Sequence, residues 1–393
     1  MSDALTIEAM TALAQVPAAD WDALSDPNDP FTEHAFLSWL EEAGCVGPGT
    51  GWSPAHVLAW RGQGPDRVLA GRAPAYVKSN SYGEFIFDWG WADACRRAGI
   101  AYYPKVTCAV PFTPATGPRL AVRPGEDADA VRAALAGALR AVADKVGASS
   151  AHVLFPREEE LPALVARGYQ ARRTHQYHWT DRGFGDFEGW LTALTTKRRK
   201  EVRRERRAAQ AAGLTLAVER ASALSDEDLT ALHACYVSTY EDKWGKPYLT
   251  APWFAGLRDR LGDRAVVATA RRDGRMVAGA LAFTKGAHLY GRNWGALEPV
   301  PALHFELCYY GFIEWALANG VTRFEAGAQG EHKIQRGFLP VVTHSAHWLR
   351  HEGLASAVAQ FIAAEAAETE RVCGILADHS PYRADGASGS DVA

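Results

Sequence analysis

The sequence predicts an α+β fold made of two tandem copies of one domain, each a mixed sheet covered by helices. Three observations predict it. Residues 167–179 read RGYQARRTHQYHW and residues 336–348 read RGFLPVVTHSAHW, so Arg, Gly, an aromatic, Thr, His, His and Trp recur at identical offsets. The flanks of both copies read strand, helix, strand, connection, strand. The 393 residues also suit two domains of about 150–200 residues better than one core.

The elements follow in order. HVLAWRGQGPDRVLAGRAPAYVKS, from residue 56, reads as a strand meander with glycine turns. Residues 126–147 have helical apolar spacing and stop at Gly147. AHVLFP is a short apolar strand, EEELPALVARG a helix, and the repeated segment a strand ending near Trp179. The second copy opens with WLTALTTKRRKEVRRERRAAQAAGLTL, in which eight of the eleven residues from Lys197 to Arg207 are basic. Good helix formers and a terminal Gly213 make this a helix. VVATARRDGRMVAGALAFTKGAHLYGRNWGAL is a meander turning at Asp273-Gly274, HFELCYYGFIEWALANG a helix, and VTRFEAG a strand. Trp179 and Trp348 are expected to pack, and His175 and His344 to be buried and hydrogen-bonded. The expected domains are 1–180 and 181–373, followed by a disordered polar tail, 374–393.

Composition excludes several classes. The chain is 48% hydrophobic and 22% charged with net charge −4, so it is not a polyanion binder as a whole. The basic helix runs against that balance and suits a phosphate-bearing partner, with Arg199 and Arg203 one turn apart on one face. The six cysteines form no CxxC or zinc spacing and read as free thiols. No apolar leader or run of about 18 apolar residues appears, so a cytoplasmic protein without a membrane span is expected. HExxH, GxSxG, Walker and GxGxxG patterns are all absent.

What remains is the stretch EAGAQGEHKIQRGFLP, residues 325–340. Amide formation needs a neutral amine, a stabilised oxyanion and aligned reactants. Glu331 and His332 are candidate bases, and Lys333 and Arg336 candidate oxyanion or phosphate ligands. Gln329, Glu325 and Arg292 are candidate substrate-orienting groups. Arg292 and Trp294 in YGRNW should share one strand face, with Asn293 opposite. Tyr240, Lys243 and Trp244 form a polar-aromatic cluster, and His304 and Glu306 open the last helix. Cys308, four residues after His304, is a weak candidate nucleophile. No metal site is expected.

The stretches LTTKRRKEVRRERRAAQAAGL, YEDKWGKPYLT, YGRNWGALE, LHFELCYYGFIEWALANG and EAGAQGEHKIQRGFLP together resemble the FemAB-like branch of the GNAT acyltransferase superfamily, the Fem-type peptidyltransferases. The likeness covers about residues 20–370. It implies two GNAT-like domains, no bound cofactor, and transfer of an aminoacyl group from aminoacyl-tRNA to an amine acceptor. An acyl-CoA-dependent N-acyltransferase acting on a small amine, and a non-catalytic module binding RNA or a peptidoglycan precursor, are the alternatives. Gln335 stands where the family pattern FKKGF has a lysine. No Q/RxxGxG/A loop follows the YGRNW strand.

Overall fold

The computed structural model describes residues 4–241, 245–327 and 330–383. Two units emerge. The first contains residues 1–174, 248–261 and 342–370, and the second contains 175–247, 262–341 and 371–393. A single junction was expected at 180/181; the chain instead passes between the units repeatedly.

In the first unit, β1 (Leu5–Met10), β3 (His56–Arg61), β4 (Val68–Ala73) and β7 (Ala121–Val122) form an antiparallel sheet in the order β1-β3-β4-β7. A second run of strands has the order β2 (Trp52–Pro54), β5 (Ala75–Lys78), β6 (Lys105–Cys108), β8 (Ser150–Leu154) and β15 (Leu339–Leu349). The first-half meander is therefore broken. Pro74 separates β4 from β5, and the two strands join different runs. The helix Ala128–Lys145 is capped by the Asp127 carboxylate, which accepts from the Ala130 N–H at 3.1 Å. It buries Val131, Leu135 and Leu139 against Val57, Ala70 and Val153.

In the second unit, β10 (Thr215–Arg220), β11 (Ala265–Arg272), β12 (Arg275–Lys285) and β13 (His288–Ala296) form the expected antiparallel meander. β14 (Arg323–Glu325) runs parallel to β13, and the C-terminal part of β9 (Gln170–Thr180) pairs antiparallel with β14. Trp179, Trp190, Leu307, Ile313 and Phe338 lie in this core.

The repeat is thus real in the backbone, as two eleven-residue strands, β9 and β15. The threonines at matching repeat positions, Thr174 and Thr343, meet at 2.9 Å through their hydroxyls. The pairing is exchanged, however. β9 follows β8 in the chain but pairs with β14, while β15 follows β14 but pairs with β8. Trp179 is fully buried, but Trp348 is only partly covered, beside the Arg140 and Arg350 guanidiniums. His344 is buried, and its Nδ1 has no hydrogen-bond partner among the described residues.

The helix Glu352–Asp378 extends past the expected start of the tail at residue 374. Tyr382 is buried, accepting from the Trp190 indole at 3.3 Å and donating to the Gly337 carbonyl at 3.0 Å. Order therefore persists to residue 383, because an apolar ring anchors it; residues 384–393 lie outside the described residues.

Candidate functional site

In the second unit β13 and β14 are hydrogen-bonded only from His288 to Tyr290 and from Arg323 to Glu325. Beyond those residues a cavity of about 260 Å³ opens. Its walls are Gly291–Trp294 of β13, His304, Cys308, Tyr309 and Phe312, the 326–327 turn, and His332 and Lys333. Ligand crevices commonly form at the C-terminal ends of such parallel strands.

The strand wall differs from the alternation expected. Leu281 pairs with Asn293 while Ala282 pairs with Gly291, so Arg292 is the extra residue of a β-bulge. The bulge breaks the period of two. Arg292, Asn293 and Trp294 all line the cavity, and Asn293 is not turned to the opposite face. Burial pushes the Arg292 guanidinium down to about 10, opposed by Tyr236, Tyr240 and Glu325.

The opposite wall is a 3-10 turn, Glu331–Arg336, held between two glycines in positive φ, Gly330 at 109° and Gly337 at 87°. Lys333 is 3% exposed, and its Nζ donates to the Gly327 carbonyl at 2.8 Å. Burial lowers its pKa to about 8. His332 meets the Tyr309 hydroxyl at 2.9 Å. Burial, with help from Arg336 and Lys333, lowers its pKa and favours the neutral imidazole. Burial and His332 depress His304 to about 4, and its ring stands 5.0 Å from Trp294 and 6.1 Å from His332.

Arg336 points away from the cavity walls. Its Nη1 donates to the His332 carbonyl at 2.8 Å, its Nη2 lies 2.9 Å from both Glu205 oxygens, and it stacks on Phe305 at 3.4 Å. Glu205 also accepts from the Tyr310 hydroxyl. The next residue, Arg206, donates to Glu306 at 2.9 Å and Glu314 at 2.7 Å. The basic helix, Thr196–Gln210, is therefore tied by adjacent side chains to the segments that frame the cavity.

The candidate residues divide accordingly. Arg292, Trp294, His304, His332 and Lys333 come together at the cavity. Glu331 is exposed and is not among the lining residues. Glu325, 3% exposed, pairs with Arg323 at 2.8 Å and faces His178 at 3.6 Å. Glu306 is held by Arg206 and does not line the cavity. Tyr240 accepts from Tyr236 at 3.2 Å and acts electrostatically on Arg292, but is not itself among the lining residues. Arg203 is exposed and paired with Glu188, and Arg199 donates to the Thr196 hydroxyl at 3.4 Å. Gln329, Lys243 and Trp244 lie outside the described residues. Burial raises the Cys308 thiol far above its ordinary value, so the lining thiol is a poor nucleophile.

Sequence reasoning missed Tyr309 and Glu205. Glu205 looked like one acid within a basic run. Its signal was position: Val202 and Ala209 are the buried apolar residues of this helix, and 205 and 206 share their face. Among the described residues no group of three or more His, Cys, Asp or Glu side chains is placed to hold a metal, and no helix is long and apolar enough to cross a membrane.

Comparison with known proteins follows from this geometry. No curated protein matches the chain in sequence. The crystal structure of FemX aligns with TM-score 0.53 at 13% identity, covering 90% of this chain and 100% of that one. The C-terminal domain of a putative lysylphosphatidylglycerol synthetase from Agrobacterium fabrum aligns with TM-score 0.51 at 11% identity, covering 90% and 97%. At such identities the likeness concerns the fold. A family profile for peptidoglycan biosynthesis/recognition, FemAB-like, matches residues 12–384. This near-complete match places the chain in the FemAB-like family.

Proposed function

We propose that the chain transfers an aminoacyl group from aminoacyl-tRNA to an amine, within the cytoplasm, forming an amide at the second unit's cavity. The observation that carries this reading is the pairing, in one 260 Å³ cavity, of a buried lysine cation with an imidazole kept neutral. His332 takes the ammonium proton of the acceptor, and Tyr309 orients its ring. The freed amine attacks the ester carbonyl, and collapse of the tetrahedral adduct breaks the ester C–O bond and releases the tRNA ribose oxygen, which takes up the proton held by His332. Lys333, held by the Gly327 carbonyl, faces the developing oxyanion. Arg292 and Trp294 position the acceptor. Exposed cations of the basic helix, Arg203 and Arg204 among them, contact donor phosphates without reading sequence.

The test presents the protein with charged tRNA, a panel of acyl-CoAs and an amine mixture, and follows acyl transfer by mass. Transfer from tRNA that fails in Lys333→Met supports the reading. Transfer from acyl-CoA alone would replace the donor. Tight tRNA binding without transfer from either donor would make the chain a binding module.

A further inference from the structure

The first unit contains a buried cation that nothing in the proposed function uses. Arg72 lies on β4, where its backbone is fixed on both sides: Leu58 of β3 and Ala121 of β7 are its register partners. The side chain is 0% exposed. Its guanidinium lies 4.3 Å from the centroid of Trp21. That ring is itself locked, its indole N–H donating to the Thr32 carbonyl at 2.9 Å.

One face of the guanidinium is thus covered by an aromatic, yet its edges are bare. Nε, Nη1 and Nη2 all lack a hydrogen-bond partner among the described residues. An arginine carries five N–H donors and does not deprotonate in proteins. Burial brings it down only to about 10, so it is charged at neutral pH. An enclosed cation with five unused donors is among the least favourable arrangements a protein interior can hold.

Nearby carboxylates do not relieve it. Asp22, Asp29 and Glu33 favour the charged form electrostatically, but none is hydrogen-bonded to Arg72. Asp29 is engaged elsewhere, accepting from the Phe31 N–H at 2.8 Å and the Thr32 hydroxyl at 3.3 Å. A second arginine adds positive charge. Arg119 is 1% exposed, with Nε and Nη2 donating to the Leu154 and Ala115 carbonyls at 2.9 and 2.6 Å. Its Nη1 has no hydrogen-bond partner and stands 3.9 Å from Asp29.

The geometry points to an internal binding site for a small inorganic anion of halide size, chloride in ordinary buffers, on the in-plane donors of Arg72. The side chain is fully buried, so a small ion suits it better than a large or organic anion. The planar fan of donors favours a single atom that several N–H groups can share. The site is separate from the cavity in the second unit, and its occupant is structural: it would accept from donors that no protein group uses.

Two measurements on the full chain test it. The first is thermal unfolding in sodium chloride against sodium gluconate at fixed ionic strength. Each tenfold step in chloride above the dissociation constant should raise the wild-type Tm by roughly 2 °C or more. Arg72→Met should unfold at the same temperature in both salts. The second is a crystal of the wild type soaked in bromide, which should show an anomalous peak within hydrogen-bond distance of the Arg72 Nη atoms. If Arg72→Met does not fold, the wild-type series and the bromide map decide the matter. Identical wild-type Tm in both salts, a chloride effect equal in wild type and variant, or only water at the guanidinium would overturn the inference.

Discussion

Removing either partner of the Arg336–Glu205 pair should cost much more than removing both. The two side chains are 5% and 12% exposed, so water screens them little. Glu205→Leu leaves Arg336 with only the His332 carbonyl and the Phe305 face. Arg336→Met leaves a buried carboxylate with only the Tyr310 hydroxyl. Each single change should destabilise by about 3–5 kcal/mol, the cost of stranding a buried charge. The double variant strands no charge. It leaves the Tyr310 hydroxyl without its acceptor, which costs about 1–3 kcal/mol. Urea unfolding followed by tryptophan fluorescence should therefore show a coupling of at least about 3 kcal/mol in favour of the double variant. Additivity within about 0.5 kcal/mol would refute the claim that this pair ties the basic helix to the cavity wall.

Lys333→Met should lower the aminoacyl-transfer rate about a hundredfold or more, the usual loss for one oxyanion donor, while KM moves little. In the wild type, kcat should fall as pH rises through about 8, where Lys333 loses its proton; a flat profile there would remove it from the chemistry. Its pKa is depressed from 10.5, so between about 8 and 10.5 the unfolded chain binds the extra proton and the Lys333 contribution to stability rises with pH. That rise should be absent from the unfolding free energy of Lys333→Met. His304, lowered from 6.5 to about 4, should destabilise the fold progressively as pH falls through that interval, and His304→Phe should flatten the loss by about 3 kcal/mol. Charge reversal at Arg199 and Arg203 should weaken tRNA binding and reduce its salt slope by about 2, one for each phosphate no longer neutralised. An unchanged slope would make the helix a solvated surface.

How much of this was legible in the sequence depends on what each signal encodes. The repeat placed β9 and β15 because side-chain alternation and the shared RG, TH and HW offsets are local properties. Their exchange was not legible, because alternation says which face is buried and nothing about which strand lies alongside. The basic helix was legible as a helix and as a charge run. Its inner face was not, since Glu205 and Arg206 look like any other members of the run until Arg336 and Glu306 are seen against them. The cluster after Glu325 gave His332 and Lys333 their place. Glu331 was grouped with them by proximity in the chain, but a 3-10 turn sends neighbouring side chains in different directions, and Glu331 faces solvent. The Arg292 bulge adds one residue to a strand and leaves no composition signal.

The exchanged strands also bear on how the molecule is made. A ribosome delivers the chain from the N-terminus, and ordinary tandem domains finish one after the other during synthesis. Here the first unit still lacks residues 342–370 when residue 180 has emerged. β8 has no neighbour on one side until β15 is synthesised. The nascent N-terminal half must wait, with a bare strand edge, for almost the whole message to be read. A stop codon anywhere before residue 342 leaves both units incomplete, so truncated products of this gene should be cleared as unfolded chains and not persist as a working half.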